Sequence, residues 1–392
     1  MRILVVNYEY PPVGGGGGVI ARDLAEQMAL MGHPITVVTS HFKGLSIDVK
    51  VNGLRVIRVP VFFRRKLEVA NNLSMLNYVS ASVLYCIRHF SRKDFDIIHT
   101  HFAVPSGPAG YALSRCFGLP QILSIHGGDI YDPSKKASPH RMPVLSDTVA
   151  FMLNSATRVV AQSKNTKENA VTYYRPKTDI DIIPLGIKEP AFIKGSRAAF
   201  GLKNDEFVFC TIGRLIRRKN LEEALQILSR MKGEFRFRFL IIGDGPQREH
   251  LKEHVAALGL SHHVRLLGNV SDEVKYQVLD VSDCYLSTAL HEGFGLVFLE
   301  AMAFGLPIVC HNHGGQTDFL RNEESGFLTP LGDIETTLAR MRLIMNDNEL
   351  RKRISASNRA RVRDFFISRC AERYLWLFEE IIKAGKNRTT RR

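Results

Sequence analysis

The sequence predicts an α/β protein built from two doubly wound, Rossmann-like domains. Three observations carry this reading. The chain has 392 residues, more than one hydrophobic core normally supports. It opens as strand, glycine-rich loop, helix, strand, and the same alternation restarts near Phe207 after a polar stretch.

The opening unit reads as a strand at Ile3–Val6, a loop at Gly14–Gly18, an amphipathic helix from Val19 to Met31 and a strand at Ile35–Thr39. Further short apolar runs lie at Asp96–His99, Gln121–Ser124, Arg158–Ala161 and Asp181–Ile183, separated by helical patterns or turn signals. Such alternation implies a largely parallel sheet with helices on both faces. After Ile183 come Pro184, Leu185 and Gly186, then polar sequence to about Asp205. The first domain is therefore set at 1–186 and the second at 187–366. The second carries strands at Phe207–Thr211, Phe237–Ile242, Val264–Leu267, Cys284–Ser287 and Pro307–Cys310, and helical patterns dominate from about Ile334. The basic tail Lys386–Arg392 is expected to be frayed. Ligands of such sheets bind beyond the carboxyl ends of the strands, so the two sheets are expected to face a central cleft.

Hydrophobic residues make up 45% of the chain and charged residues 23%, which excludes a disordered polymer. No apolar run approaches the roughly 18 residues that span a bilayer, and Ile3–Val6 is too short for a signal-peptide core, so a cytoplasmic protein is expected. The six cysteines are scattered without C-x-x-C spacing and read as reduced packing residues. A formal charge of +14 points to an anionic partner: nucleic acid, a membrane surface or a phosphorylated substrate. Residues 1–186 hold 21 Lys/Arg against 13 Asp/Glu and the remainder 32 against 26, so no concentrated nucleic-acid footprint stands out and none is expected.

The most informative stretch is His291-Glu-Gly-Phe-Gly-Leu-Val-Phe-Leu-Glu300, a loop after the Cys284 strand that opens a helix. A helix start presents unpaired amides and about half a positive charge, which suits a diphosphate. Gly293 and Gly295 let the backbone approach closely. Glu300, one turn past Leu296, can accept both hydroxyls of a ribose, and Glu292 on the loop is set to meet a sugar beyond the phosphates. A second cluster, Gly213-Arg-Leu-Ile-Arg-Arg-Lys219, ends the first strand of the second domain and puts Arg214 and Lys219 beside the same diphosphate, while Arg217 and Arg218 read as a solvated basic turn. A third, Gly243-Asp-Gly-Pro246, is a tight turn that fits a ligand contact or a turn alone.

These clusters, in this order and after these strands, resemble the donor half of retaining family-4 glycosyltransferases of GT-B fold, also described as glycosyl transferases group 1. That family's two glutamates stand eight positions apart, as Glu292 and Glu300 do. The likeness extends over essentially the whole chain, through the first glycine loop and the boundary at Ile183–Gly186. It implies a nucleoside-diphosphate sugar as donor, no cofactor and no metal. Arg214 and Lys219 would hold the diphosphate and Glu300 the ribose. Glu292, with the following Gly293, Phe294, Gly295, Leu296 and Val297, would take the transferred sugar. Gly16, Gly17 and Gly243 would also line the donor site, and Val270 would border the nucleobase. Ser124-Ile-His126-Gly-Gly-Asp129 resembles the family's histidine loop, so His126 and Glu292 are the candidate reaction-centre residues. A final helix at about 367–385 would pack back onto the first, acceptor-binding domain. The family often has Glu where Asp318 stands, which puts an outer contact in doubt, and often Asn where Leu185 stands.

Two other readings remain. Gly16, Gly18 and Ala21 satisfy the dinucleotide motif of an oxidoreductase, but the acidic ribose contact is missing after the second strand, which ends Thr39-Ser40-His41. A binding module of the same fold would take the donor without transfer. His99 and His101 lack a third ligand at zinc spacing, and the D-x-D strings at Asp94–Asp96 and Asp179–Asp181 fall at the amino ends of strands. The acceptor, a glycan or lipid-linked sugar, is not legible. Val61-Phe-Phe-Arg-Arg-Lys66 and the helix bearing Leu73, Leu76, Val83, Ile87 and Phe90 offer a contact for an anionic membrane surface, although the stripe is expected to pack into the core.

Overall fold

The computed structural model describes residues 1–64, 67, 71–134 and 138–389, without the side chains of Asn72 and 386–389. Arg65 and Lys66, and the side chains of the basic tail from 386, lie outside the described residues. The chain forms two compact units, Met1–Lys188 with Phe366–Arg392, and Glu189–Phe365.

In the first unit β1 (Ile3–Val6) leads through α1 (Gly16–Leu30) to β2 (Ile35–Ser40), then β3 (Asp48–Val51) and β4 (Leu54–Val59). After α2 (Asn72–His89) follow β5 (Ile97–His101), α3 (Ser106–Phe117), β6 (Gln121–Ile125) and α4 (Pro143–Ser155). The unit continues with β7 (Arg158–Ala161), α5 (Lys164–Tyr174) and β8 (Ile180–Ile182). The strands form one sheet of order β3-β4-β2-β1-β5-β6-β7-β8, parallel except for the β3–β4 pair. Every residue of β1 and β5 is buried, as expected of central strands covered on both faces.

The second unit runs β9 (Phe207–Ile212), α6 (Leu221–Ser229), β10 (Phe237–Ile242), α7 (Arg248–Ala257) and β11 (Val264–Gly268). It continues with α8 (Asp272–Val281), β12 (Cys284–Ser287), α9 (Leu296–Ala303), β13 (Ile308–His311) and β14 (Gly326–Thr329), then α10 (Ile334–Asn346) and α11 (Asn348–Arg361). Its six strands are all parallel, in the order β11-β10-β9-β12-β13-β14. The chain then returns to the first unit as α12 (Ile367–Thr389), whose Ile367, Ala371, Tyr374, Leu375 and Phe378 pack against Leu24 and Met28 of α1 and against β1.

The sequence differs from this structure in three instructive places. Helix α1 begins at Gly16, inside the segment read as loop, because the Glu9 carboxylate accepts the Gly15 N–H at 3.0 Å and Gly18 packs on the Glu9 backbone. Strands β3, β4 and β14 were not expected. The α2 stripe divides: Val83 and Phe90 pack against the core, whereas Leu73 and Leu76 are 60% and 70% exposed and Ile87 is exposed with them.

Both sheets reverse their strand order beside the strand that starts them. In the first unit the switch point lies between β1 and β5, and in the second between β9 and β12. Loops leaving the carboxyl ends of these strands are where such folds place ligands.

Candidate active site

In the second unit the β9 and β12 loops interlock through their backbones. Leu290 N–H donates to Arg218 O at 2.9 Å and the Thr288 hydroxyl to Asn220 O at 2.7 Å. Arg218 Nη1 donates to His291 O at 2.6 Å and lies 3.4 Å from Glu292 Oε2, while Lys219 Nζ is bonded to Glu292 Oε1. Arg218, read from sequence as solvated, is thus a member of the site, because the interlocked loops turn it onto the glutamate. Burial would raise the pKa of Glu292, but Lys219 and Arg218 more than offset this and hold it below its ordinary value. The Glu292 backbone is fixed from behind by Gly315 N–H, which donates to its carbonyl at 2.7 Å.

Glu300 on α9 pairs with Lys275 of α8 at 2.7 Å, and Lys275 also reaches Asp272 at 2.9 Å. Burial works against the charge on Lys275, yet Glu300 drives its pKa upward. Sequence reading missed Lys275, since its partner stands 25 positions away. Arg214 is exposed on the loop after β9. Gly293, Gly295, Leu296 and Val297 are half-buried, leaving the α9 start approachable. Phe294 is buried against Phe319, ring centroids 4.9 Å apart, so only its backbone is available to a ligand.

The β10 turn is tied to both neighbours. Gly243 N–H donates to Gly268 O at 2.8 Å, and a Cβ on Gly243 would lie 2.0 Å from Gly213 O. With φ at +127°, Gly243 is required by the close approach of two strand ends, and backbone packing accounts for it without a ligand. Val270 follows β11 and is half-buried.

In the first unit the loops after β5 and β6 meet over one aspartate: Asp129 accepts from His126 N–H at 2.8 Å and from Ala103 N–H at 2.7 Å. Gln162 donates to the His126 carbonyl at 2.9 Å. The His126 ring is hydrogen-bonded through Nε2 to His101 Nδ1 at 3.0 Å and lies 4.6 Å from the Phe102 ring, with Nδ1 enclosed and without a partner. Burial pushes the pKa of His126 down to about 4 and that of His99 to about 3, and lowers His101 strongly, so all three are neutral at pH 7. His99 bonds the Ser124 hydroxyl at 2.8 Å, which in turn meets Tyr374 of α12 at 2.8 Å. Phe102 has φ of +71°, and its ring occupies the space a Cβ on Gly17 would need, 2.2 Å away, whereas Gly16 faces open space. Gly17 therefore serves packing, and Gly15 and Gly16 are the glycines with room above them.

The D-x-D acids are spoken for at the amino ends of strands: Asp96 pairs with Arg2 at 2.7 Å, Asp181 with Arg158 at 2.8 Å and Asp179 with Lys167 at 2.7 Å. At the end of β2, where a dinucleotide enzyme carries an acid, the Ser40 hydroxyl donates to Tyr8 O at 2.7 Å.

The family described as Glycosyl transferases group 1 matches residues 193–361, and Glycosyltransferase Family 4 matches residues 14–189. The chain belongs to family 4 of the glycosyltransferases. This family-4 glycosyltransferase is 25% identical over 392 residues to N-acetyl-alpha-D-glucosaminyl L-malate synthase of Bacillus anthracis, covering 96% of this chain and 97% of that protein. It is 27% identical over 310 residues to UDP-Gal:alpha-D-GlcNAc-diphosphoundecaprenol alpha-1,3-galactosyltransferase of Escherichia coli, covering 76% and 77%. Its fold, GT-B, is shared with sucrose-phosphate synthase of Thermosynechococcus elongatus at a TM-score of 0.84, 21% identity, and coverage of 98% and 100%. Family membership sets aside the oxidoreductase reading.

Proposed function

We propose that this glycosyltransferase moves a sugar from a nucleoside-diphosphate donor, held by the second unit, to a glycan or lipid-linked acceptor held by the first, with retention and without a metal or cofactor. The observation that carries this is the buried Glu292 flanked by Lys219 and Arg218 at the sheet's switch point, next to the start of α9. Departure of a nucleoside diphosphate needs positive charge where the phosphate charge grows. Lys219, Arg218 and the α9 amides supply it, with Arg214 at the rim. Glu300 is the ribose contact, and neutral His126 meets the reacting sugar and acceptor. Retention rests on family likeness.

The test is binding of UDP, GDP, ADP and NADH to wild type and Glu300→Ala. UDP comes first, because the galactosyltransferase relative is named for UDP-Gal. Ligand at about 100 times its dissociation constant adds roughly 2.7 kcal/mol of stability, several degrees in Tm. Stabilisation by one nucleoside diphosphate, weaker in the variant, is expected, and stabilisation by NADH alone would overturn the reading. Donor hydrolysis or transfer separates the enzyme from a binding module.

The α2 face favours a membrane-borne acceptor. Leu73, Leu76, Leu84 and Ile87 form one exposed stripe, with Phe62 and Phe63 exposed on the preceding loop. Arg88 and His89 end the helix, and the sequence adds Arg64, Arg65 and Lys66 before it, which suits an anionic bilayer. Among the described residues no helix is long and apolar enough to cross a membrane. Co-sedimentation with anionic vesicles is expected to drop several-fold in Leu73→Ser/Leu76→Ser, and no binding by wild type at low salt would refute this surface.

A further inference from the structure

Lys219 and Arg218 are the cations best placed for a donor diphosphate, yet both converge on one carboxylate. The side chains are enclosed together, 16% exposed for Lys219, 21% for Arg218 and 8% for Glu292. We propose that Glu292 is the resident counter-ion of the diphosphate site. The donor's phosphates take over Lys219 and Arg218, and the carboxylate so released turns to the hydroxyls of the transferred sugar. This rests on reading the second unit as the donor site.

Two features support an exchange of partners over a fixed ion pair. First, the loops are not tied together by the carboxylate: Leu290 N–H to Arg218 O, Arg218 Nη1 to His291 O and Gly315 N–H to Glu292 O do not involve it. Second, the cations are under-satisfied. Two positive side chains share one negative charge, and the Arg218 Nε–H is enclosed with no acceptor. A phosphate offers several acceptor oxygens and more charge than a carboxylate.

The neighbouring pair shows the contrast. Lys275 keeps Asp272 at 2.9 Å when Glu300 turns to a ribose, so that lysine needs no new anion. Among the described residues Lys219 has no carboxylate besides Glu292, so its replacement partner must come from the ligand.

The exchange predicts a gain of affinity from a loss of charge. Calorimetric titration of the full chain with UDP, GDP and ADP is expected to show Glu292→Gln binding the preferred nucleotide roughly threefold to tenfold more tightly than wild type. Lys219→Met weakens binding, and the gain disappears in the Glu292→Gln/Lys219→Met double variant, because the competitor acts through that lysine. Should Glu292→Gln fail to fold, Glu292→Asp, which loosens the pair by one methylene, is expected to bind more tightly by a smaller factor. Wild-type binding with equal or weaker binding by these variants would make Glu292 a fixed structural counter-ion and overturn the exchange. No nucleotide binding by wild type or variants would overturn the donor-site reading, and the exchange with it.

Discussion

The two units place their polar residues at the same point of the sheet and treat charge in opposite ways. At the first unit's switch point the titratable groups are three histidines held neutral by burial, with His99 bonded to Ser124 and His101 to His126, whose Nδ1 is left without a partner. At the second unit's switch point acidic and basic groups are set against each other, Glu292 with Lys219 and Arg218 and Glu300 with Lys275. A site that suppresses charge offers fixed hydrogen-bond geometry. One that stores opposed charges is ready to trade them for a charged ligand.

Acidification should separate the two regions most strongly. The folded-state pKa values of His99 and His126, about 3 and about 4, lie below the unfolded value of 6.5, so the unfolded chain takes up protons first. Their contribution is complete above about pH 6.5 and is lost as pH falls toward 4 for His126 and toward 3 for His99, and shifts of this size correspond to roughly 3 to 5 kcal/mol each. Glu292 is also depressed, but as a carboxylate its contribution survives until pH falls through the ordinary carboxylate range. Amide protection factors, corrected for the intrinsic slowing of exchange in acid, should therefore fall in β5 and β6 between pH 6.5 and 4 while those of β9 and β12 hold. His99→Gln, still able to bond Ser124, should flatten the first transition. Simultaneous loss of protection in both sheets would break the comparison.

A steric difference comes next. Gly243→Ala puts a Cβ 2.0 Å from the Gly213 carbonyl oxygen at a φ of +127°, where neither backbone can yield cheaply. We expect a loss of about 2 to 4 kcal/mol, read as the midpoint of urea unfolding of the second unit. A near-neutral result would mean that the glycine serves a ligand and not the meeting of β9 and β10.

What could be read from the sequence follows the range of the interactions. Central strands such as β1, β9 and β10 are continuous apolar runs, and their alternation with helices gave the doubly wound class. Strand β4 was missed because Arg55 and Arg58 interrupt its apolar pattern, β3 because it is a short charged edge, and β14 because it opens on Gly326 and has four residues. In the site, Glu292, Glu300 and Lys219 stand out by spacing within single loops. Their partners do not. Lys275 and Phe102 gain meaning only when strands far apart in sequence become neighbours, and Arg218 is indistinguishable from Arg217 until the β12 loop closes on it.

The smallest effect concerns the adjacent glycines that open α1, and it sharpens the comparison because it separates packing from ligand space inside the first unit. Gly17→Ala must displace the Phe102 ring, whose Cζ lies 2.2 Å from the new methyl, and through it disturb His126. The clash is with the far end of a side chain, so a cost of about 1 to 2 kcal/mol is expected. Gly16→Ala meets nothing within 4 Å and lies in the first turn of a helix, where alanine should be neutral or stabilising by up to about 1 kcal/mol. If Gly16→Ala keeps its Tm and loses transfer activity, the open space above it belongs to a substrate. If stability and activity are both unchanged, the glycine run serves only to start the helix against Glu9, and the substrate contacts of the first unit must be sought around His126.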